Sequence, residues 1–151
     1  MAELNLILLG PPGSGKSHLA AVWREITGAR IIAPPEIRKE TVPDLLRKGA
    51  LVIEDAPGDR LDEAGFFHLL NLAREQKASI LVTARQAPLG WGIALPDLIS
   101  RLKAAPVAQL GAPDDDLLRG VLVKLFADRQ IAVDEATVSY LLARMPRELD
   151  A

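Results

Sequence analysis

The chain has 151 residues, 49% hydrophobic and 25% charged, with 18 Lys+Arg against 20 Asp+Glu and no cysteine. That length and balance predict one aliphatic-cored domain with a small appendage, and exclude disulfides, thiolate metal sites and thiol chemistry. A net charge of −2 with scattered cations argues against a dedicated nucleic-acid reader. No signal-peptide pattern or membrane-length apolar run is visible, so a cytoplasmic protein is expected.

"LNLILL" (Leu4 to Leu9) is a continuous apolar run, which suits a parallel strand covered on both faces. A glycine-rich turn follows, then a helix carrying Leu19, Val22, Trp23 and Ile26 at helical spacing and closed by Gly28. "ARIIA" (Ala29 to Ala33) is a short second strand stopped by Pro34 and Pro35, and "PDLLRK" (Pro43 to Lys48) is a short helix with proline in its first turn. "ALVIED" (Ala50 to Asp55) is a third buried strand ending on two acids. A helix from about Asp62 to Lys77 presents Phe66, Leu69, Leu70 and Ala73 on one face, and "SILVTA" (Ser79 to Ala84) is the fourth strand. "LPDLISRLK" (Leu95 to Lys103) predicts a helix and "PVAQL" (Pro106 to Leu110) a fifth strand.

Strands alternating with helices at this spacing predict an α/β fold with a parallel sheet and right-handed crossovers. After "GAPDDD" (Gly111 to Asp116) only helical stripes follow: Leu117, Leu118, Val121, Leu122, Leu125 and Phe126, then Val138, Leu141, Leu142 and Met145. The expected organisation is an α/β core over 1–111 and a partial helical lid over 112–151, with a third lid helix starting at Pro146. The aspartates at 114–116 read as a helix cap complementing the macrodipole.

Gly10, Pro11, Pro12, Gly13, Ser14, Gly15, Lys16 and Ser17 spell G-x-x-x-x-G-K-S between a strand and a helix. Glycines let successive backbone N–H groups curl around a polyphosphate, and the following helix offers its positive end. Lys16 would reach the β/γ-phosphates and Ser17 would ligate Mg²⁺; His18 follows directly and is grouped with the binding residues. The bland reading is a Gly/Pro turn before an ordinary helix. Glu54 and Asp55 end a buried strand, where one carboxylate can hold the Mg²⁺ hydration shell and a second can orient an attacking water. Glu54 is one methylene longer than the usual aspartate, so binding is expected to survive better than hydrolysis. Thr83 either polarises the γ-phosphate or water, or simply completes a strand. Arg101 either meets a neighbouring chain's nucleotide or pairs with Asp97 on the surface. Arg147 either reaches the nucleotide or frays with the terminus. His18 and His68 have no metal-spaced partners and read as structural, and Trp23 reads as core.

"GPPGSGKSHLA" resembles the initiator clade of AAA+ ATPases, which includes DnaA and the helicase loaders. "DDDLLRGVLVKLFADRQIAVDEATVSYLLARMPREL" resembles the lid of DnaA and of its short homologue Hda, the regulatory inactivator of DnaA. "FFHLLNLARE", "ILVTAR" and "LPDLISRLKAAPV" resemble the alphaproteobacterial form of that homologue. The resemblance runs from about Leu6 to Leu149. It implies a five-stranded parallel P-loop NTPase fold with a helical lid, and ATP or ADP with Mg²⁺ held between them. It places Walker A at Gly10 to Ser17, Walker B at Glu54 and Asp55, and sensor 1 at Thr83 to Arg85. The arginine finger falls at Arg101 and sensor 2 at Arg147.

The leading expectation is a regulator of replication initiation, with Arg101 stimulating ATP hydrolysis by its partner DnaA, and intrinsic hydrolysis weak. DnaA's DNA-binding domain and the Hda-type clamp-docking motif are not seen in this chain. Sequence-specific DNA binding is therefore not expected, and docking on the DNA-loaded sliding clamp would need a segment not present. An AAA+ homo-oligomer is allowed for. The alternatives are a helicase-loader or transposition-helper ATPase, and a small-molecule P-loop kinase. The span between the second and third strands, roughly Pro34 to Gly49, is short for a kinase's acceptor site.

Overall fold

The computed structural model describes residues 6–111, 115–128, 131 and 133–144. Five strands, β1 (Leu6–Leu9), β2 (Arg30–Ile32), β3 (Ala50–Ala56), β4 (Ser79–Ala84) and β5 (Val107–Gln109), form one sheet in the order β2-β3-β4-β1-β5. Every pairing is parallel. All strand C-terminal ends therefore lie along one edge, with β1 and β4 adjacent and β3 next to β4.

The continuous apolar runs are explained by two covered faces. Side chains alternate across a strand. Ile7, Leu9, Ile53, Ile80 and Val82 pack on one side with α2 (Val42–Leu45), α3 (Glu63–Gln76) and α4 (Pro96–Ala104). Leu6, Leu8, Val52 and Leu81 pack on the other with α1 (Lys16–Thr27), α5 (Asp115–Asp128) and α6 (Glu135–Arg144).

Boundaries follow local chemistry. Gly28, in the left-handed region at φ 74, closes α1 by donating its N–H to the Arg24 carbonyl. The Asp62 carboxylate accepts from the Gly65 N–H and starts α3. α2 is shorter than the predicted Pro43–Lys48 helix, because Gly49 at φ 77 turns the chain into β3. β5 is shorter than predicted: Pro106 lacks an N–H for the ladder, although its carbonyl still accepts from Ile7. The sequence pattern predicts no element at Pro34–Glu36 or Pro88–Gly90, where single 3-10 turns form around prolines.

The two C-terminal helices pack against α1. Leu118, Leu122, Leu125 and Phe126 of α5, with Val138 and Leu142 of α6, belong to the same apolar cluster as Leu19 and Trp23 of α1. Phe126 stacks on Trp23 with ring centroids 5.2 Å apart. Leu117, expected in the stripe, is 41% exposed, because a position beside Leu118 lies about 100° around the helix from the buried line. Asp114, Met145 and the expected helix at Pro146 lie outside the described residues. Among the described residues no helix is long and apolar enough to cross a membrane.

Candidate nucleotide-binding site

The loop leaves β1 from a fixed point, since the Gly10 N–H donates to the Ala84 carbonyl of β4 at 3.1 Å. Ser14 N–H then bonds back to the Pro11 carbonyl at 3.2 Å, closing a tight turn with Pro11 and Pro12 exposed on its outer lip. Gly13 and Gly15 hold φ 81 and 104, backbone angles that side-chain-bearing residues rarely adopt. The Lys16 ammonium turns inward and donates to the Gly10 carbonyl at 2.6 Å and the Pro11 carbonyl at 3.0 Å. Lys16 and Ser14 are each 1% exposed, so the lysine is held by the loop it serves.

The start of α1 fits an anion. Its N-cap is Gly15, no side chain caps it, and its first turn contains no acidic residue. The partial positive charge of the helix end is thus not complemented by a carboxylate of its own, and the lysine adds a full charge beside it. Phosphate oxygens suit both groups. Ser17, on the first turn of α1, is half-buried, and His18 is buried on the same turn.

Two strands away, at a nominal spacing of about 10 Å, β3 ends in the expected acids. The register with β4 shifts between Ile53 and Ala56, so Glu54 and Asp55 form a bulge. Asp55 sits at φ 59 and is exposed, while Glu54 is half-buried. A bulge re-aims side chains, and here it turns two successive acids at the edge where the loop opens. Thr83 is buried on β4 between β1 and β3. Its Oγ1 accepts from the Asp55 N–H at 3.1 Å, and this bond fastens the bulge to the neighbouring strand. Beyond the acids an open cleft of about 470 Å³ runs between Glu54, Asp55 and Asp59 on one side and Ile31 to Pro35 on the other.

Gly10 to Ser17, Glu54, Asp55 and Thr83 are brought to one sheet edge. Arg101 is not among them. It lies on α4, on the sheet face opposite α1, where its guanidinium donates to Asn71 Oδ1 at 2.7 Å and covers the Phe67 ring at 4.9 Å. Arg147 lies outside the described residues. Among the described residues no group of three or more His, Cys, Asp or Glu side chains is placed to hold a metal ion. Mg²⁺ here would therefore depend on phosphate oxygens together with Ser17 and Glu54.

Sequence spacing gives no sign that Asn71 and Phe67 neighbour Arg101, or that Leu118 neighbours Gly15. Asn71 and Phe67 sit on the flank of α3, beside its buried apolar stripe. Leu118 of α5 packs over Gly15, so that a Cβ added there would come 3.1 Å from its Cδ1. Only folding puts these neighbours together.

Comparison with solved structures settles the architecture. The chain superposes on domain III of the Thermotoga maritima replication initiation protein DnaA with a TM-score of 0.53 at 17% identity, over 93% of this chain and 68% of that one. AMPPCP-bound DnaA from Aquifex aeolicus gives a TM-score of 0.53 at 17% identity, over 94% of this chain and 50% of that one. This is the P-loop NTPase fold of the DnaA AAA+ domain. In this fold the Gly10–Ser17 loop follows β1, and Glu54 and Asp55 end β3.

No protein-family model matches the chain. A Sinorhizobium fredii insertion sequence ATP-binding protein is 33% identical over 121 residues, covering 66% of this chain and 40% of that protein. The insertion sequence IS21 ATP-binding protein of Pseudomonas aeruginosa is 35% identical over 108 residues, covering 58% of this chain and 40% of that protein. The matched part of this chain thus spans two fifths of the length of either relative.

Proposed function

We propose that this chain is an ATP-binding AAA+ module that acts on a second, nucleotide-bearing chain. ATP or ADP lies across the Walker A loop. Mg²⁺ is held through Ser17 and Glu54, Asp55 orients water, and Arg147 closes from the lid. Residues 1–111 serve as the nucleotide-binding core and 112–151 as a partial lid. One observation carries the reading: the Walker A loop with its helix and Arg101 occupy opposite faces of one sheet. A guanidinium placed there serves a phosphate that belongs to someone else, stabilising charge that develops on a transferring phosphoryl group.

Two choices of second chain follow. The transposition-helper reading has the support of both insertion-sequence relatives, and in it the acceptor is another copy of this chain. A regulator acting on DnaA is the second reading. It is favoured by the likeness to DnaA over more than nine tenths of this chain, α5 and α6 included. In that case the acceptor is DnaA, with the sliding clamp on DNA as the platform. Both roles belong to the cytoplasm.

The deciding experiment first measures ATP–Mg²⁺ and ADP–Mg²⁺ affinity by calorimetry. It then follows hydrolysis of labelled ATP on two acceptors, DnaA and an Arg101→Ala copy of this chain, after adding wild-type protein in unlabelled ADP. Tight binding with acceleration on the copy supports the helper; acceleration on DnaA supports the regulator. No acceleration on either removes the trans-acting reading, and no nucleotide binding removes the whole proposal.

A further inference from the structure

Two connections leave the sheet edge that carries Asp55 and Thr83. One runs from β3 through residues 57–62 to α3, the other from β4 through residues 85–95 to α4. At the near end the two strands are joined by the Asp55 N–H, which donates to Thr83 Oγ1 at 3.1 Å. At the far end the connections are joined by one side chain. Glu63, on the first turn of α3, accepts through Oε1 from the Ala94 N–H at 3.0 Å and the Leu95 N–H at 2.8 Å. The two segments therefore close into a single frame, tied at both ends by residues 28 and 32 positions apart in sequence.

Leu95 is the N-cap of α4 and makes no side-chain cap of its own. A glutamate at the third helical position can reach back to an N-cap N–H, but Leu98 stands there in α4. Glu63 takes that part from another helix, and its carboxylate suits the positive end of α4. The β4 connection is braced along its length. Trp91 Nε1 donates to the Gln86 carbonyl at 2.8 Å, and Trp91 belongs to the same apolar cluster as Leu98 and Leu102 of α4. A braced segment passes a displacement from one end to the other, where a slack one would absorb it.

We propose that Glu63 is a positioning residue that couples the acidic end of β3 to α4, so that the nucleotide at that edge sets where α4 stands. A triphosphate brings toward Glu54 and Asp55 a charge that a diphosphate lacks, and this difference biases the frame between two settings. The coupling rests on nucleotide binding as proposed above and is independent of which phosphate Arg101 serves.

Trp91 reports on the β4 connection. The chain has two tryptophans, so 5-fluorotryptophan labelling gives two fluorine resonances, which Trp23→Phe assigns. Spectra are recorded in ADP–Mg²⁺ and in AMPPCP–Mg²⁺, with both affinities measured by calorimetry and the melting temperature alongside. In wild type the Trp91 resonance is expected to differ between the two nucleotides. In Glu63→Ala that difference should fall at least about threefold, while both affinities stay within about twofold. Glu63→Gln keeps an acceptor oxygen at the same reach and should recover part of the difference. Glu63→Asp stays charged but is one methylene short; it should behave like alanine, and it carries the test if Glu63→Ala does not fold. A cap that only held α4 in place would lower the melting temperature and leave the nucleotide difference intact. That result, or a wild-type Trp91 blind to the nucleotide, overturns the inference while nucleotide binding stands. No heat with either nucleotide removes the nucleotide-binding reading itself, and the inference goes with it.

Discussion

The backbone N–H of Asp55 and the hydroxyl of Thr83 meet at 3.1 Å, although 28 residues separate them in the chain. This bond ties the bulged end of β3 to β4, the strand lying between it and β1. It converts an ordinary strand residue into a support for the acidic motif. Thr83→Val, close in shape, removes the acceptor and leaves a partly buried N–H without its partner. Urea unfolding should show a loss of about 1–2 kcal/mol. Nucleotide affinity should hold, and any ATP turnover should fall, because the acids lose their anchor while the phosphate cradle does not.

Gly15 is constrained twice, by φ 104 and by Leu118, whose Cδ1 would lie 3.1 Å from an added Cβ. A Cβ added to Gly13, at φ 81, would meet nothing within 4 Å. Gly15→Ala is therefore expected to abolish nucleotide binding by calorimetry and to cost about 1–3 kcal/mol of stability. Gly13→Ala should carry the backbone strain alone and come out the milder of the two.

Lys16→Met removes an ammonium that holds the Gly10 and Pro11 carbonyls at 2.6 and 3.0 Å. A charge-assisted bond to phosphate is worth roughly 1.5–3 kcal/mol, so ATP affinity should drop about tenfold to a hundredfold. Titration with a fluorescent ATP analogue checks this. Retained affinity would mean that the loop amides alone hold the tail.

Phe126 is fully buried and stacks on Trp23 at an interplanar angle of 10°. Phe126→Ala should destabilise the protein by roughly 3–5 kcal/mol in chemical denaturation. It should also change the emission of Trp23, which the native fold buries completely. Phe126→Leu, which keeps most of the volume, should cost much less.

Asp44 is exposed and carries a pKa below the usual carboxylate value, first because Arg30 donates a hydrogen bond to it and second because of the Arg47 charge. A depressed folded-state pKa gives stability that is present above the ordinary carboxylate pKa and lost as pH falls through the folded value. The Arg30–Asp44 pair, which ties β2 to α2, should therefore loosen only in acid. An NMR titration of the Asp44 carboxyl should show its midpoint moving up toward the ordinary value in Arg30→Gln.

Residues near one another in the chain announced much of this molecule. Apolar runs such as Leu6 to Leu9 and Ser79 to Ala84 state both their strand character and their burial on two faces, because side-chain alternation is a local rule. The loop from Gly10 to Ser17 is equally local: its glycine angles, its lysine and the start of the helix that follows are fixed within eight consecutive residues. Other features depend on chain segments that sequence order keeps apart. The bulge at Glu54 and Asp55 exists because β4 offers Thr83, and Leu118 reaches Gly15 because α5 folds onto α1. Arg101 faces Asn71 because α3 and α4 pack on the sheet face opposite the loop. Spacing along one strand or helix could mark the candidate phosphate-binding groups. Whether a distant arginine lies on the loop's side of the sheet or the other was decided by which face its helix covers, a matter of packing between elements that local periodicity does not encode.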